Sequence, residues 1–504
     1  MAETLPRRSP FNGTLVYQVG QRDPSAESDL TRELRISPLL AAALRARGYE
    51  DPESARAFLE PSFETLGDPE LLPDFERAAE ILLDAIRSKA LIFVHGDYDA
   101  DGVTSAALLS RFLAAVGANV HTFVPHRLRE GYGVSTEAVE TAKSMGVSVF
   151  LTCDCGVSAF QALELAMSYE MKVVVTDHHQ PQASVPKVDA LVNPHLPGSR
   201  YPFDELCGAA VAFRFCEGLA RRLGMNVDKY RERFVEFAAI GTVADMMPLE
   251  GENRVIAAMG LRKLSRTTTP GLVRLKEHAR TKPGTMSARD IGFGIGPRLN
   301  AVGRIDEPGI ALQLLLTKDE DEAAHLAILV EQKNTERRAI QQEICDAALQ
   351  IVAEQKLDEH LVLMVRGPKW HKGIVGLAAS RVLERYGRPT FVLSYDPETG
   401  RYGGSARSIP GVDIFRMIEE NRHLGVGGGG HAGAAGIHFH EQDFDRIFEA
   451  FERCAWEQVG PDGLPNVIGA DFEADFAELT IPAIEDLTRM EPCGRGNEIL
   501  TLLV

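Results

Sequence analysis

The sequence has no long apolar run, few cysteines and no overall excess of positive charge. Each absence narrows what the chain can be. Without a stretch of about 20 apolar residues no bilayer-spanning helix is expected. The opening Met1-Ala-Glu-Thr-Leu-Pro-Arg-Arg8 also has no apolar signal core. The seven cysteines are odd in number and scattered over 504 residues, which argues against a disulfide framework and for a reducing, cytoplasmic setting. Cys153 and Cys155 flank an aspartate, but no second pair completes a zinc site, so they read as small buried residues. A net charge of -18 excludes a globally basic nucleic-acid binder. Ten Lys or Arg nevertheless gather between Gly260 and Arg304, opposed only by Glu277 and Asp290. A groove is built from local charge, so this stretch is a candidate guide for a polyanion, with a solvated basic face as the alternative.

What is present is an ordinary globular composition, 44% apolar and 25% charged, in a chain long enough for roughly two to four domains. Residues 1–85 carry helix-period apolar positions interrupted by Gly48 and the Pro61 to Pro73 stretch, and predict a helical segment with no chemistry of its own. From about residue 90 the pattern changes. Short apolar runs at 90–94, 120–124, 147–152, 172–176 and 190–192 alternate with helical spacing, which predicts βαβ units and a parallel sheet covered on both faces.

Ligands gather at the carboxyl ends of the strands in such sheets. There stand His95-Gly-Asp-Tyr-Asp-Ala-Asp-Gly102, then Pro125-His-Arg-Leu-Arg-Glu-Gly-Tyr-Gly133, Cys153-Asp-Cys-Gly156 and Asp177-His-His179. Asp245 follows a strongly apolar helix beginning near Tyr230. Three carboxylates in five positions repel one another unless a cation compensates, and His with alternating Asp suits Mn²⁺ or Mg²⁺. A solvated acidic turn, with Asp99 capping the next helix, is the alternative for the first motif alone. The whole inventory matches two adjacent cations. His95 and Asp99 can serve one, Asp101, His178 and Asp245 the other, with Asp154 between, although spacing does not fix that partition. Asp97 is left as a residue of uncertain role.

Residues 297–304, Pro-Arg-Leu-Asn-Ala-Val-Gly-Arg, offer Arg298, Asn300 and Arg304 as phosphate contacts, with pairing to nearby acids as the alternative. Residues 319–357 lack Gly and Pro and predict a connecting helix. A second lobe follows over 358–459, where Ser405-Ala-Arg407 and the glycine-rich Gly425 to Gly436 around His431 predict a phosphate-cradling loop. Residues 460–504 read as a linker and the opening of an oligonucleotide-binding module with too few residues to close a five-stranded barrel.

These motifs resemble those of the DHH phosphoesterase superfamily, named for the triplet Asp177-His178-His179, and within it a branch of single-strand-specific exonucleases. The matching pieces are His95 to Gly102, Glu130 to Gly133, Asp154 to Gly156, Thr176 to His179, Asp245, Pro297 to Arg304 and Gly427 to Gly436. The resemblance implies an α/β chain. It has a parallel-sheet DHH domain (86–318), an N-terminal helical segment, a long connecting helix, a smaller α/β DHH-associated domain and an incomplete C-terminal module. It implies His95, Asp99, Asp101, Asp154, His178 and Asp245 as ligands of two divalent cations, Mn²⁺ in preference to Mg²⁺. Asp101, Asp154, His178 and His179 would form the catalytic set, with His179 beside the scissile phosphate. Arg127, Tyr132, Ser405, Arg407, Gly430 and His431 would join Arg298, Asn300 and Arg304 on the substrate. The implied activity is two-metal removal of mononucleotides from the 5′ end of single-stranded DNA in repair and recombination. The implied state is a monomer, with a single-strand-binding protein and a helicase as candidate partners and no membrane. Rival readings are a hydrolase of short or cyclic nucleotides, a pyrophosphatase, and a non-catalytic replication subunit. The last predicts lost ligands, and none of the six is missing.

Overall fold

The computed structural model describes residues 10–126, 133–305 and 309–504; Arg127 and Tyr132 lie outside the described residues. The chain divides into two compact units, one of Met1–Gln18 with Thr335–Gly469, the other of Val19–Asn334 with Ala470–Val504. It opens on a strand, β1 (Phe11–Val19), where a helical segment is predicted. Three short helices follow, Pro24–Leu34, Pro38–Ala46 and Pro52–Leu59. Each starts with proline behind Asp23, Ser37 or Asp51, whose side chain accepts a backbone N–H of the first turn.

The larger unit is built on a parallel sheet of β2 (Leu91–His95), β3 (Asn119–Phe123), β4 (Val149–Cys153), β5 (Lys172–Thr176) and β6 (Ala190–Val192), in the order β3-β2-β4-β5-β6. Successive side chains alternate between two cores. Ile92, Val94, Leu151 and Val174 pack with the helices Ala100–Ala115, Gly208–Arg222 and Val227–Ala244. Phe93, Phe150, Val173 and Val175 face the helices Thr136–Ser144 and Phe160–Ser168. Burial on both faces is why these strands read as continuous apolar runs. Full burial of each such side chain contributes about 1.5–3 kcal/mol. The chain leaves β2 toward β3 on one side and returns to β4 on the other, which opens a crevice at the carboxyl ends of β2 and β4.

The helix Glu320–Glu354 is continuous, and the division between the units falls inside it. The smaller unit holds a mixed sheet of β7 (Leu363–Pro368), β8 (Thr390–Asp396), β9 (Arg401–Arg407), β10 (Gly427–His431) and β11 (Ala434–His440), ordered β10-β11-β9-β8-β7. Only β7 and β8 are parallel. The helices Ile414–Glu420 and Phe444–Val459 cover one face through Phe391, Ala406, Ile437 and Phe439. The expected phosphate loop at 425–436 is therefore largely an edge strand and hairpin. β12 (Leu464–Ala470), in the stretch read as a linker and the opening of a further module, pairs with β1.

The C-terminal residues also depart from expectation. β13 (Phe472–Glu473) pairs with β14 (Leu502–Leu503). Phe472, Ala474, Ala483 and Met490 share one apolar core with Leu30, Leu39, Leu44 and Phe58 of the N-terminal helices. Residues 470–504 thus pack with the N-terminal helices as one layer. Arg254 locks this layer to the sheet domain. Its guanidinium stacks 3.4 Å over Phe58 and donates to carbonyls of Phe58, Met490 and Glu491 at 2.6, 3.1 and 3.0 Å. Among the described residues no helix is long and apolar enough to cross a membrane.

Candidate metal centre

The loop after β2 is shaped by its glycines and by a neighbouring helix. A Cβ at Gly102 would lie 2.5 Å from the Asp97 backbone, and one at Gly303 would lie 2.5 Å from the Tyr98 carbonyl oxygen. Asp99 caps the helix Ala100–Ala115, its Oδ1 accepting the N–H of Asp101 and Gly102 at 3.0 Å. The capping alternative is thus realised on one oxygen of Asp99, while a carboxylate oxygen of the same residue belongs to a ligand group. Asp101 reaches the start of the helix Gly208–Arg222, accepting the N–H of Gly208 at 2.6 Å and of Ala209 at 2.9 Å. Unpaired N–H groups and the helix dipole there favour a carboxylate.

Four elements bring their acids and histidines together. Asp97, Asp99 and Asp154 offer oxygens within 4.8 Å of one another, as do the ligand atoms of Asp101, His178 and Asp245, and of Asp154, His178 and His179. His178 Nε2 lies 3.1 Å from Asp154, 3.7 Å from Asp245 and 3.8 Å from Asp101. Asp154 adopts a left-handed backbone (φ 59°), a conformation that non-glycine residues rarely take and that clusters at functional sites. Gly208 and Gly241 leave room for the carboxylates: added Cβ atoms would lie 2.5 Å from Asp154 Cβ and 2.2 Å from Asp101 Oδ1.

Burial, then mutual repulsion, raises the proton affinity of these acids. Asp97 is pushed up to about 7 and Asp245 to about 8, and Asp99 and Asp154 are also raised. Burial pulls His178 down and His95 to about 4. Among the described residues, buried Asp97 Oδ1 and His95 Nε2 have no hydrogen-bond partner, and Asp154 Oδ1 faces only His178 Nε2, at 3.1 Å. Converging carboxylates with an orphaned buried oxygen form a donor set suited to hard divalent cations. His95 itself lies outside the three groups, packed against Phe123, Phe150 and Cys155. Asp97, left uncertain on sequence, falls inside one.

Asp177 supports the centre from beneath. Its carboxylate accepts the N–H of Val157, His178 and His179 and lies 2.8 Å from His179 Nδ1. Burial opposes ionisation of Asp177, but the His179 contact holds it below the usual carboxylate range. Burial likewise opposes protonation of His179, and the bond to Asp177 with the fields of Asp245 and Asp101 lifts it to about 9. The role of Asp177 could have been read from its place directly before the histidine pair.

Two predicted phosphate contacts are corrected. Arg298 is 5% exposed and fully engaged, donating to Glu331 at 2.6 Å and to the carbonyls of Gly294 and His278 at 2.8 and 2.7 Å. Asn300 accepts the Ala100 N–H at 2.7 Å and so holds the metal loop. Arg304 is half-buried on the same helix, Gly296–Ile305. Much of the basic stretch is also engaged within the unit: Lys276 donates to the Leu264 and Ser265 carbonyls, Arg274 pairs with Glu277, and Arg266 with Glu232.

In the smaller unit Arg407 is half-buried, donates to Ser405 Oγ at 2.9 Å and to the Ala406 carbonyl at 2.8 Å, and pairs with no carboxylate among the described residues. Ala434 stands in register between Arg407 and His431, which places both side chains on one face of the sheet. Gly430 has φ +151° and a Cβ there would lie 2.3 Å from the Ala434 carbonyl oxygen. Strand pairing therefore accounts for this glycine without a ligand.

A parallel sheet with this acid-and-histidine crevice, followed by a small mixed domain, defines the DHH class. Residues 91–242 match the DHH family N-terminal domain and residues 358–457 the DHHA1 domain. The chain is 34% identical over 497 residues to the single-stranded-DNA-specific exonuclease RecJ of Dickeya dadantii, covering 94% of this chain and 84% of that protein. It is 35% identical to the RecJ of Bacillus subtilis over 95% of this chain, spanning 60% of that relative's length. A crystal structure of RecJ from Thermus thermophilus in complex with Mn²⁺ superposes with a TM-score of 0.82 at 30% identity, covering 96% of this chain and 69% of that one. The chain belongs to the RecJ family.

Proposed function

We propose that this chain is a metal-dependent exonuclease that hydrolyses single-stranded DNA from the 5′ end and releases mononucleotides. Family membership supports the substrate, since the curated relatives carry single-stranded-DNA-specific exonuclease in their names. The observation that carries the reading is the convergence of Asp97, Asp99, Asp101, Asp154, His178 and Asp245, with Asp97 Oδ1 buried and unpartnered among the described residues. The Mn²⁺ complex of the Thermus relative supports a divalent ion for these residues. Two such ions, Mn²⁺ in preference to Mg²⁺, would supply Lewis acidity at this site.

The remaining work falls to the chain. Asp97, Asp99 and Asp154 would hold one ion and Asp101, His178 and Asp245 the other, with the buried His95 Nε2 a further candidate donor outside those groups. Gly208 and Ala209 fix Asp101 through their N–H groups, so that ligand is positioned before substrate arrives. His179, oriented by its Nδ1 contact with Asp177, would donate from its other ring nitrogen to a phosphate oxygen as negative charge develops. Arg407, Ser405 and His431 bind the terminal phosphate, an arginine with no carboxylate partner among the described residues being matched to phosphate geometry.

Two substitutions test the reading. Asp101→Ala and His178→Ala should each abolish release of nucleotides from single-stranded DNA in Mn²⁺ while leaving the far-UV circular dichroism intact. Turnover near that of the unaltered chain in either variant would remove the metal assignment.

A further inference from the structure

Asp245 alone among the proposed metal ligands closes a helix, and that helix closes on a strained corner. After Val227–Ala244 the Met247 N–H donates to the Thr242 carbonyl at 3.0 Å and the Met246 N–H to the Val243 carbonyl at 3.2 Å. This pair of bonds is a Schellman turn, with Asp245 as the helix cap and Met246 in the left-handed position that follows it (φ 57°). Glycine usually takes that position, because a Cβ there is strained. Burial does not compensate Met246, which is 67% exposed. A strained corner persists only when its surroundings hold it.

The holder comes from the far end of the chain. Arg495 Nη1 donates to the Met246 carbonyl at 3.2 Å, and the Arg495 carbonyl accepts the Leu249 N–H at 2.7 Å. The two bonds bracket the segment that leaves Asp245. Glycines on either side of Arg495 let the two stretches touch. A Cβ at Gly494 would lie 2.7 Å from Leu249 Cδ1, and one at Gly496 would lie 3.0 Å from Glu250 Oε1 and 3.2 Å from Pro248 Cβ.

The turn that carries Arg495 is itself fixed. Gly494 and Asn497 exchange backbone N–H···O bonds at 2.8 and 3.1 Å. Asn497 is 1% exposed, and its Nδ2 donates to the carbonyls of Met490 and Pro492 at 2.7 and 2.9 Å. Arg254 binds the Met490 and Glu491 carbonyls of the same stretch. A rigid turn therefore presses on the corner that aims Asp245.

We propose that Arg495 is a positioning residue for the metal centre: by clamping the left-handed Met246 corner it holds the Asp245 carboxylate beside Asp101 and His178. The proposal rests on the reading of Asp245 as a metal ligand, and it gives the C-terminal residues a part in metal binding. Charge alone predicts the opposite effect. The Arg495 guanidinium acts on Asp245 through its field, so removing it from beside a cation site would by Coulomb attraction tighten Mn²⁺ binding. Loss of a clamp weakens it.

The test is calorimetric Mn²⁺ titration of the full chain without DNA, for the unaltered protein, Arg495→Met, Met246→Gly and the double variant. Arg495 is exposed, so its replacement should leave the far-UV circular dichroism intact. Arg495→Met should weaken Mn²⁺ binding about fivefold, the scale of one hydrogen bond to a carbonyl. Glycine accepts the left-handed position without help, so the same replacement made on Met246→Gly should cost less than about twofold. Tightened or unaltered Mn²⁺ binding in Arg495→Met would overturn the clamp, the second result being what a residue that only contacts phosphate would give. An equal loss in both backgrounds would also overturn it. A chain that binds no Mn²⁺ even unaltered would overturn the metal centre and the clamp with it, whereas intact binding that Arg495→Met leaves unaltered overturns the clamp alone.

Discussion

Asn300→Ala separates two roles that sequence spacing does not distinguish. If Asn300 contacts phosphate, its loss raises KM for DNA and leaves the fold alone. The structure instead has Asn300 Oδ1 accepting the Ala100 N–H at 2.7 Å, with Ala100 1% exposed. Removing the acceptor leaves a buried N–H without a partner, which costs about 1–3 kcal/mol. Ala100 lies between Asp99 and Asp101, so the loop that carries both ligands loosens. If the full amount is felt at the metal, Mn²⁺ affinity falls by roughly 5- to 150-fold. Asn300→Asp keeps an acceptor and should recover most of the urea-unfolding stability, although a phosphate-contacting residue would gain nothing from a negative charge. The assays are urea unfolding and calorimetric Mn²⁺ titration of the three chains, followed by KM for single-stranded DNA at saturating Mn²⁺. Unaltered stability and Mn²⁺ affinity in Asn300→Ala, with a raised KM, would refute the reasoning and restore the phosphate contact.

Further outcomes follow from the same geometry. Arg298→Met should destabilise the larger unit by about 1–3 kcal/mol, the cost of leaving the carbonyls of Gly294 and His278 without their donor, and leave the salt slope of DNA binding where it was. Gly241→Ala should abolish tight Mn²⁺ binding in calorimetry, because its Cβ would lie 2.2 Å from Asp101 Oδ1. Asp97 and Asp245 have folded-state values of about 7 and 8, above the ordinary aspartate range. Their protonated forms therefore favour the folded metal-free chain at low pH, and that contribution is lost as pH rises through about 7 and 8. The thermal midpoint in EDTA should accordingly fall between about pH 5 and about pH 8.5, values chosen to bracket that window, and Mn²⁺ should restore it most at the alkaline end; a midpoint that rises with pH in EDTA would contradict the burial of these acids.

The sheet domain is legible in the sequence because both of its faces are buried, so its strands appear as runs such as Lys172–Thr176 and its ligands necessarily follow them. The acids and histidines that follow β2, β4 and β5 can be named for the same reason, whereas Asp245 ends the helix Val227–Ala244. Asp97 escapes because the choice among three alternating aspartates depends on how the loop turns over Gly102 and Gly303, which spacing does not reveal. Arg298 and Asn300 mislead because an arginine facing Glu331 and one facing a phosphate look alike in sequence. The packing of the C-terminal residues is not legible for a longer-range reason. Phe472 and Met490 find their core among Leu30, Leu39 and Phe58, at the opposite end of the sequence, and no local pattern carries that pairing. The glycine-rich hairpin reads as a loop because the cause of glycine at 428 and 430 is a neighbouring strand's carbonyl oxygen.

The central claim is tested most directly by the unaltered chain acting on single-stranded DNA labelled differently at its two ends, in Mn²⁺ and in EDTA. The account predicts early release of the 5′ label as mononucleotide, late release of the 3′ label, and neither in EDTA. Release of the 3′ label first, or cleavage that persists in EDTA, would contradict it.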